Sequence, residues 1–395
     1  MIAVAMKYKK TGIDWMPEVP EHWEVRRMKN ICFLQRGHDL SKEKFLEGGY
    51  PVYGSNGIIG YHKEFSTKAP CITIGRSGST GEIQFVEDDF WAHNTCLFVK
   101  ESYGNNWRYL YYLLSSIDIK RVSNGTAVPT LDRNNVHVLK VGYPPPEEQK
   151  AIADYLDTQS AKITHFIQTK QRFIELLKEQ RQSIIEIALK SEESWTKSKI
   201  KHISKMFGRI GFRGYQTSDL VDKGKGAITI SPSNMKDNKM NFNQCSYLSW
   251  VKYEESPEIK IFQGDILFVK TGATYGKVAL VPELPEKATI NPQLMVFKEL
   301  KIDAEYFCYY LQTGYIKEQV EKTVIGGTIP TISQTKVGTF QVYYPNPDEQ
   351  KQIVEHIKSE TKTLDIAISK AEREIELIKE YREAMIAEAV TGKMK

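Results

Sequence analysis

Between Glu147 and Lys190 the chain runs for 44 residues without a glycine or a proline, so nothing there interrupts a helix. Ile152, Leu156, Ile163, Ile167, Ile174, Leu177 and Ile184 follow one another largely at helical spacing, with Phe166, Phe173 and Ile187 beside them. That spacing draws one apolar stripe down a helix. At about 1.5 Å per residue the helix extends roughly 65 Å, too long to pack inside a single small domain. A second stretch near the C-terminus repeats the pattern through Ile353, Ile357, Leu364, Ile368, Ala371, Ile375, Ile378, Met385 and Ala389, with Gly392 as its end signal. Each stripe needs a partner, and the other stripe is the obvious one. The pattern predicts an antiparallel pair.

The polar and β-branched positions between the helices repeat as well, with a period near 200. Trp23 opens WEVRRMKNI and Trp195 opens WTKSKIKHI: tryptophan, four residues, a large apolar residue, lysine, one residue, isoleucine. Strand-like runs separated by Gly and Asn turns follow in both halves, PVYGSNGIIGY, CITIGRSGSTGEIQFV and HNTCLFVK in the first, GAITISPSNMK, GDILFVKTGATYGKVALV and INPQLMVFK in the second. The aromatic stretch 109–113 matches 307–311, and Gly125-Thr-Ala-Val-Pro-Thr130 matches Gly327-Thr-Ile-Pro-Thr331 less one residue. Tyr143-Pro-Pro-Pro-Glu-Glu-Gln149-Lys then matches Tyr344-Pro-Asn-Pro-Asp-Glu-Gln350-Lys. Proline followed by acids is the composition of a helix start. The predicted fold class is α+β: two mixed α/β globules, each followed by a long helix, the helices packed as an antiparallel coiled coil with pseudo-two-fold symmetry. The predicted divisions are 1–145, 146–191, 192–344 and 345–395.

Charge separates these parts. The net charge is +5, yet residues 147–190 carry seven basic and seven acidic side chains, and 348–390 carry seven and eleven. The rest of the chain therefore holds +9, which points to helices that meet protein and globules that meet a polyanion. No apolar run approaches the ~20 residues of a membrane span. The opening MIAVAMKYKK is too short in apolar residues for a signal peptide, and the five cysteines are scattered without a CxxC pair. A soluble, cytoplasmic protein is expected, with no metal site and no membrane partner.

Two similar basic globules at a set separation suit a split site on duplex DNA, whose groove repeats every ~34–36 Å. Candidate contacts lie in polar turns. Ser55 and Asn56 sit in an Asn-Gly turn; Arg76, Ser77, Ser79 and Thr80 lie in the glycine-rich run 75–81, where Arg76 has the chemistry to reach guanine. Lys270, Thr271, Thr274 and Lys277 form its counterpart, and Ser231, Asn234, Lys236 and Lys239 form a basic loop. A plain turn or loop explains each of these sets equally well, and the aromatic stretches read better as core. Catalytic patterns are missing. The run 272–277 is short of a phosphate-binding loop, no Asn/Asp-Pro-Pro-Tyr/Phe methylase stretch exists, and the eight histidines have no metal spacing. No catalytic residue is assigned. A fused DNA methyltransferase and a coiled-coil adaptor that binds no DNA remain the alternatives.

The duplicated Trp openings, PVYGSNGIIGY, GRSGSTG and, above all, the two Tyr-Pro-x-Pro-x-Glu-Gln-Lys junctions resemble the specificity subunits of type I restriction–modification systems, from about Ile13 to Ala389. The resemblance implies two target-recognition domains, each reading half of a bipartite, asymmetric DNA site. It implies spacer helices that dock two methyltransferase subunits acting on adenine N6, with restriction subunits completing the complex. S-adenosylmethionine, ATP and Mg would then belong to those partners and no cofactor to this chain. Recognition loops are the family's most variable part, so no base contact carries over.

Overall fold

The computed structural model describes residues 7–122, 130–209, 211, 214–323 and 330–393. The Gly125–Pro129 and Gly327–Ile329 parts of the matched motifs lie outside them. The chain divides into two compact units, one made of Met1–Arg172 with Ala371–Lys395, the other of Phe173–Lys370.

In the first unit a four-stranded sheet has the order Phe33–Arg36, Cys96–Glu101, Cys71–Gly75, Ile83–Val86. A second sheet of three strands has Gly57–His62 and Trp91–Ala92 on either side of Tyr50–Gly54. The Trp opening forms the strand Glu24–Arg27, which pairs with Lys140–Tyr143 just ahead of the long helix. The aromatic stretch becomes the helix Trp107–Ser116, its N-terminus capped by Asn106, whose side chain accepts from the Tyr109 amide.

The second unit repeats this scaffold. Its four-stranded sheet runs Lys205–Gly208, Leu294–Lys298, Ile266–Val269, Val278–Leu280, the corresponding elements in the same order. Thr196–Lys199 pairs with Gln341–Tyr344 ahead of its long helix. Asp303 caps Ala304–Tyr310 as Asn106 caps its counterpart. The other sheet departs from the plan: it has five strands, ordered Leu220–Val221, Ser246–Ser249, Gly226–Ile230, Ala288–Ile290, Lys260–Ile261. Both units keep one parallel pairing, Tyr50–Gly54 with Trp91–Ala92 and Gly226–Ile230 with Ala288–Ile290. Every residue of Gly226–Ile230 and of Ile266–Val269 is buried, which explains their continuous apolar composition.

The long helices are Pro146–Ala188 and Pro347–Val390, each with proline first and two acids in the opening turn. Within the first unit, Ile152, Leu156 and Ile163 near the start of one pack into a core with Met385, Ala389 and Val390 at the end of the other. Within the second unit the ends are exchanged: Ile185 and Leu189 share a core with Val354 and Ile357. The helices are therefore antiparallel. Each fully buried Ile, Leu, Val or Met side chain of this seam is worth about 1.5–3 kcal/mol relative to exposure. Ion pairs flank it, Lys170 with Glu374 at 2.6 Å and Arg181 with Asp365 at 2.9 Å.

Several stripe positions differ from the sequence reading by one residue. Ile185 is fully buried while Ile184 is half-buried, and Val354 is buried where Ile353 is partly so. Leu364, Ile375, Ile378 and Ile167 are half-buried, and Phe166, Phe173 and Ile187 are exposed, Ile187 at 73%. Two adjacent apolar residues straddle the edge of a 3.6-residue stripe, so residue type alone does not say which one points inward.

The repeated junction motifs act as clasps between globule and helix. Trp23 donates its indole N–H to Glu148 Oε2 at 2.8 Å, and Trp195 donates to Glu349 Oε1 at 3.1 Å. Gln149 is fully buried: its Oε1 accepts from the Asn106 amide at 3.1 Å, and its Nε2 donates to Asn105 Oδ1 at 2.9 Å and Pro144 O at 3.1 Å. Gln350 repeats this with the Asp303 amide and Pro345 O, both at 2.8 Å. In the first unit Arg108 adds a two-pronged bond to Asp157, which also accepts from Tyr112. The chain end closes onto the same unit, where Tyr8 donates to the Gly392 carbonyl at 2.9 Å. Gly392, at φ +76°, ends the helix as expected, and a Cβ there would lie 2.4 Å from Pro20.

Candidate nucleic-acid interface

In each unit four segments meet at one end of the paired sheets. In the first, the strand Cys71–Gly75 leads into the turn 76–81. Gly75 has no room for a side chain: a Cβ would stand 2.0 Å from the Ser79 carbonyl oxygen and 2.4 Å from that of Ser55. Glycine is thus what lets the Ser55–Asn56 turn lie against the 76–81 turn. The Arg76 amide donates to Thr95 O at 2.9 Å, and the Arg76 carbonyl accepts from Leu131 N at 2.8 Å. Ser77 pairs with Thr130 in an isolated bridge.

The second unit builds the same junction. The Lys270 amide donates to Gln293 O and the Lys270 carbonyl accepts from Ile332 N, both at 2.8 Å. Thr271 bridges to Thr331. Gly78 and Gly81 hold φ of +84° in one turn, Gly272 and Gly276 hold +106° and +81° in the other, the left-handed region that costs other residues about 1–2 kcal/mol.

Side chains at the two junctions are polar and mostly accessible. Asn56 and Thr274 are exposed, and Ser55, Arg76, Ser77, Ser79, Ser231, Lys270, Thr271 and Lys277 are half-exposed. Burial holds the Lys270 ammonium below its ordinary lysine range. The segments 93–95 and 291–293 belong to the junctions although nothing in their sequence marks them, because they contribute through backbone carbonyls. The signal available was positional: each directly follows the strand that pairs in parallel.

The structure reassigns several candidates. Asn234 is 3% exposed; its amide N–H groups bond Asn241 O and Gln244 O, and its Oδ1 accepts from the Ser231 amide. It ties the loop together from inside and does not face solvent. Thr80 is 6% exposed and bonds back to the Arg76 carbonyl. Lys277 donates to Met235 O at 2.7 Å, fixing the 231–236 loop to the glycine turn. Lys239 pairs with Asp365 of the second long helix at 3.0 Å, and its neighbour Asp237 pairs with Lys178 of the first at 2.8 Å. The turn carrying Lys236, exposed, and Lys239 is therefore anchored on the helices, while the Lys277–Met235 bond holds its start against the glycine turn.

All five cysteines are free. Burial pushes the thiols of Cys32, Cys71, Cys96 and Cys308 up to about 12, which leaves them un-ionised near neutrality. Among the described residues there is no group of three or more His, Cys, Asp or Glu placed to hold a metal, and no helix long and apolar enough to cross a membrane.

The fold defines a tandem α+β protein with one loop cluster per copy. Its kinship is duplicated in the same way: the chain belongs to the family described as type I restriction modification DNA specificity domain, matched once over residues 20–176 and again over 192–377. It is 23% identical to the type I restriction enzyme MjaVIII specificity subunit of Methanocaldococcus jannaschii, over all of this chain and 99% of that one. It is 30% identical to the EcoprrI specificity subunit of Escherichia coli over 37% of this chain and 38% of that one. A chain from a structure on assembly and conformational transition of a type I restriction–modification system superposes with a TM-score of 0.63 at 14% identity, covering 95% of this chain and 99% of the other. That likeness is one of fold.

Proposed function

We propose that this chain is the non-catalytic DNA-recognition subunit of a type I restriction–modification complex. Each unit reads one half of a bipartite, asymmetric site through its loop cluster, and the antiparallel helices set the distance between the halves. The observation that carries this reading is duplication with a difference. One scaffold occurs twice with the same strand order, while the second sheet has three strands in one unit and five in the other. Shared scaffold with unshared loops is what two different half-sites require.

The helices recruit the partners. Their outer faces keep large apolar side chains exposed, Tyr155, Phe166, Leu377 and Tyr381 in the first unit, Phe173, Leu176, Ile187 and Ile366 in the second. Exposed apolar surface of this extent marks protein contact. Two adenine-N6 methyltransferase subunits, one per unit, fit those faces, and restriction subunits join them in the cytoplasm. S-adenosylmethionine, ATP and Mg bind on those partners. Because adenine must leave the stack to be methylated, base extraction falls to the partner, and this chain holds the register.

Mapping N6-methyladenine across the host genome with the gene intact and deleted tests the reading. One asymmetric motif with a fixed gap should vanish on deletion. Persistence of every methylated motif would refute it.

A further inference from the structure

We propose that the two units carry the same seat for a DNA backbone phosphate, with Arg76 as its cation in the first and Lys270 in the second, and that base reading falls to the segments the units do not share. The inference rests on the DNA-recognition reading and divides the labour within it.

The two cations occupy one position of the fold. Each is the residue at which the turn leaves its strand. Each amide donates to the segment after the parallel strand, at Thr95 or Gln293, and each carbonyl accepts from the residue after the bridging threonine, Leu131 after Thr130 or Ile332 after Thr331. Backbone bonds on both sides fix where the side chain starts.

Among the described residues neither cation has a counter-charge. Among the described residues the Arg76 guanidinium makes one long bond, 3.5 Å to the Asn94 carbonyl, and the Lys270 ammonium makes no hydrogen bond or ion pair. No Asp or Glu occurs in the sequence of the stretches outside the described residues. Other basic side chains are engaged: Arg36 pairs with Asp39 at 2.9 Å, Lys239 pairs with Asp365, and Lys277 is tied to the Met235 carbonyl at 2.7 Å. Lys270 is also half-buried beside Gly208, where a Cβ would come within 3.2 Å of its Nζ. A partly desolvated ammonium without an anion is stabilised when an anion arrives.

Repetition identifies the anion. A contact made identically in both units cannot distinguish two different half-sites. It must meet a group that every DNA sequence presents at regular spacing, which is the phosphodiester. The adjacent hydroxyls of Ser77 and Thr271 supply neutral donors to the same group. What differs, and so can discriminate, is the three-stranded sheet with its exposed Asn56 and the five-stranded sheet of the other unit.

The test uses the full chain with its methylation partners, wild type, Arg76→Gln and Lys270→Gln. Affinity is measured against salt for two duplexes, one bearing the methylated motif and one with both half-sites scrambled. Each variant should weaken binding to both duplexes by the same factor and lower the slope of log K against log salt by about 0.9, so that a fourfold rise in salt weakens it ~3.5-fold less than wild type. Arg76→Lys and Lys270→Arg should restore the slope. Lys270→Met, which keeps the buried stem, replaces Lys270→Gln if the latter unfolds. Loss confined to the motif duplex would make these residues base readers and overturn the proposal, as would unchanged slopes. If wild type binds both duplexes equally, yet the variants lower the slope, the seat stands and the recognition reading fails. If wild type binds neither, both fail.

Discussion

Replacing Gln149 with alanine should unfasten the first unit from its long helix, at a cost that follows from three hydrogen bonds. The side chain is fully buried. Its removal leaves the Asn106 N–H and the Pro144 carbonyl without the partners they have now, whereas Asn105 Oδ1 keeps the Tyr143 hydroxyl as donor at 2.9 Å. Two polar groups without partners, one buried and one part-buried, at about 1–3 kcal/mol each put the loss at about 2–6 kcal/mol. Gln149→Glu separates the roles: a carboxylate still accepts from Asn106 N–H but turns an oxygen toward Pro144 O and Asn105 Oδ1. It should be at least as damaging as alanine despite its nearly identical shape. Urea unfolding followed by tryptophan emission and far-ultraviolet dichroism gives the difference at matched slope. A loss under about 0.5 kcal/mol for Gln149→Ala would refute the clasp, and so would a Glu variant as stable as wild type.

Two further outcomes are expected. Asp365→Asn should destabilise the second unit by about 1–2 kcal/mol, mostly through Arg181, which is largely covered, because the exposed Lys239 partner contributes no more than ~1 kcal/mol; Lys239→Ala measured beside it should be nearly neutral in the same urea titration. Burial pushes the Asp157 carboxyl up, but bonds from Arg108 and Tyr112 outweigh it and hold the group below its ordinary range. Its contribution is therefore present above the unfolded carboxylate value and lost as pH falls through the folded one, so the thermal-melting gap between wild type and Asp157→Asn should narrow from about pH 6 to about pH 3.

The junction motifs were legible because their chemistry is local and repeated. A tryptophan N–H and a buried amide need fixed partners, so Trp, Glu and Gln recur at the same spacing in both halves. The glycine turns were legible for a similar reason: positive φ and a close carbonyl leave few residue choices at Gly75 or Gly272. What escaped depends on long-range contacts. Asn234 and Lys239 look like ligand-facing polar residues in the sequence, yet one is enclosed by its own loop and the other meets Asp365, 126 residues away. The 93–95 and 291–293 segments contribute backbone carbonyls, which side-chain identity does not reveal. On the helices, neighbours such as Ile184 and Ile185 are equivalent in type, and only packing distinguishes them.

The closing of the first unit by the end of the chain has a consequence for biosynthesis. Ile152 and Leu156 share their core with Met385, Ala389 and Val390, so the globule translated first lacks one wall until residues 385–390 have left the ribosome. The second unit is continuous from Phe173 to Lys370 and can assemble as soon as its own stretch emerges. Completion thus reverses the order of translation, with the N-terminal globule waiting, its helix face uncovered, for the C-terminal strap. Premature termination would then leave the intact second unit folded and expose an aggregation-prone face on the first.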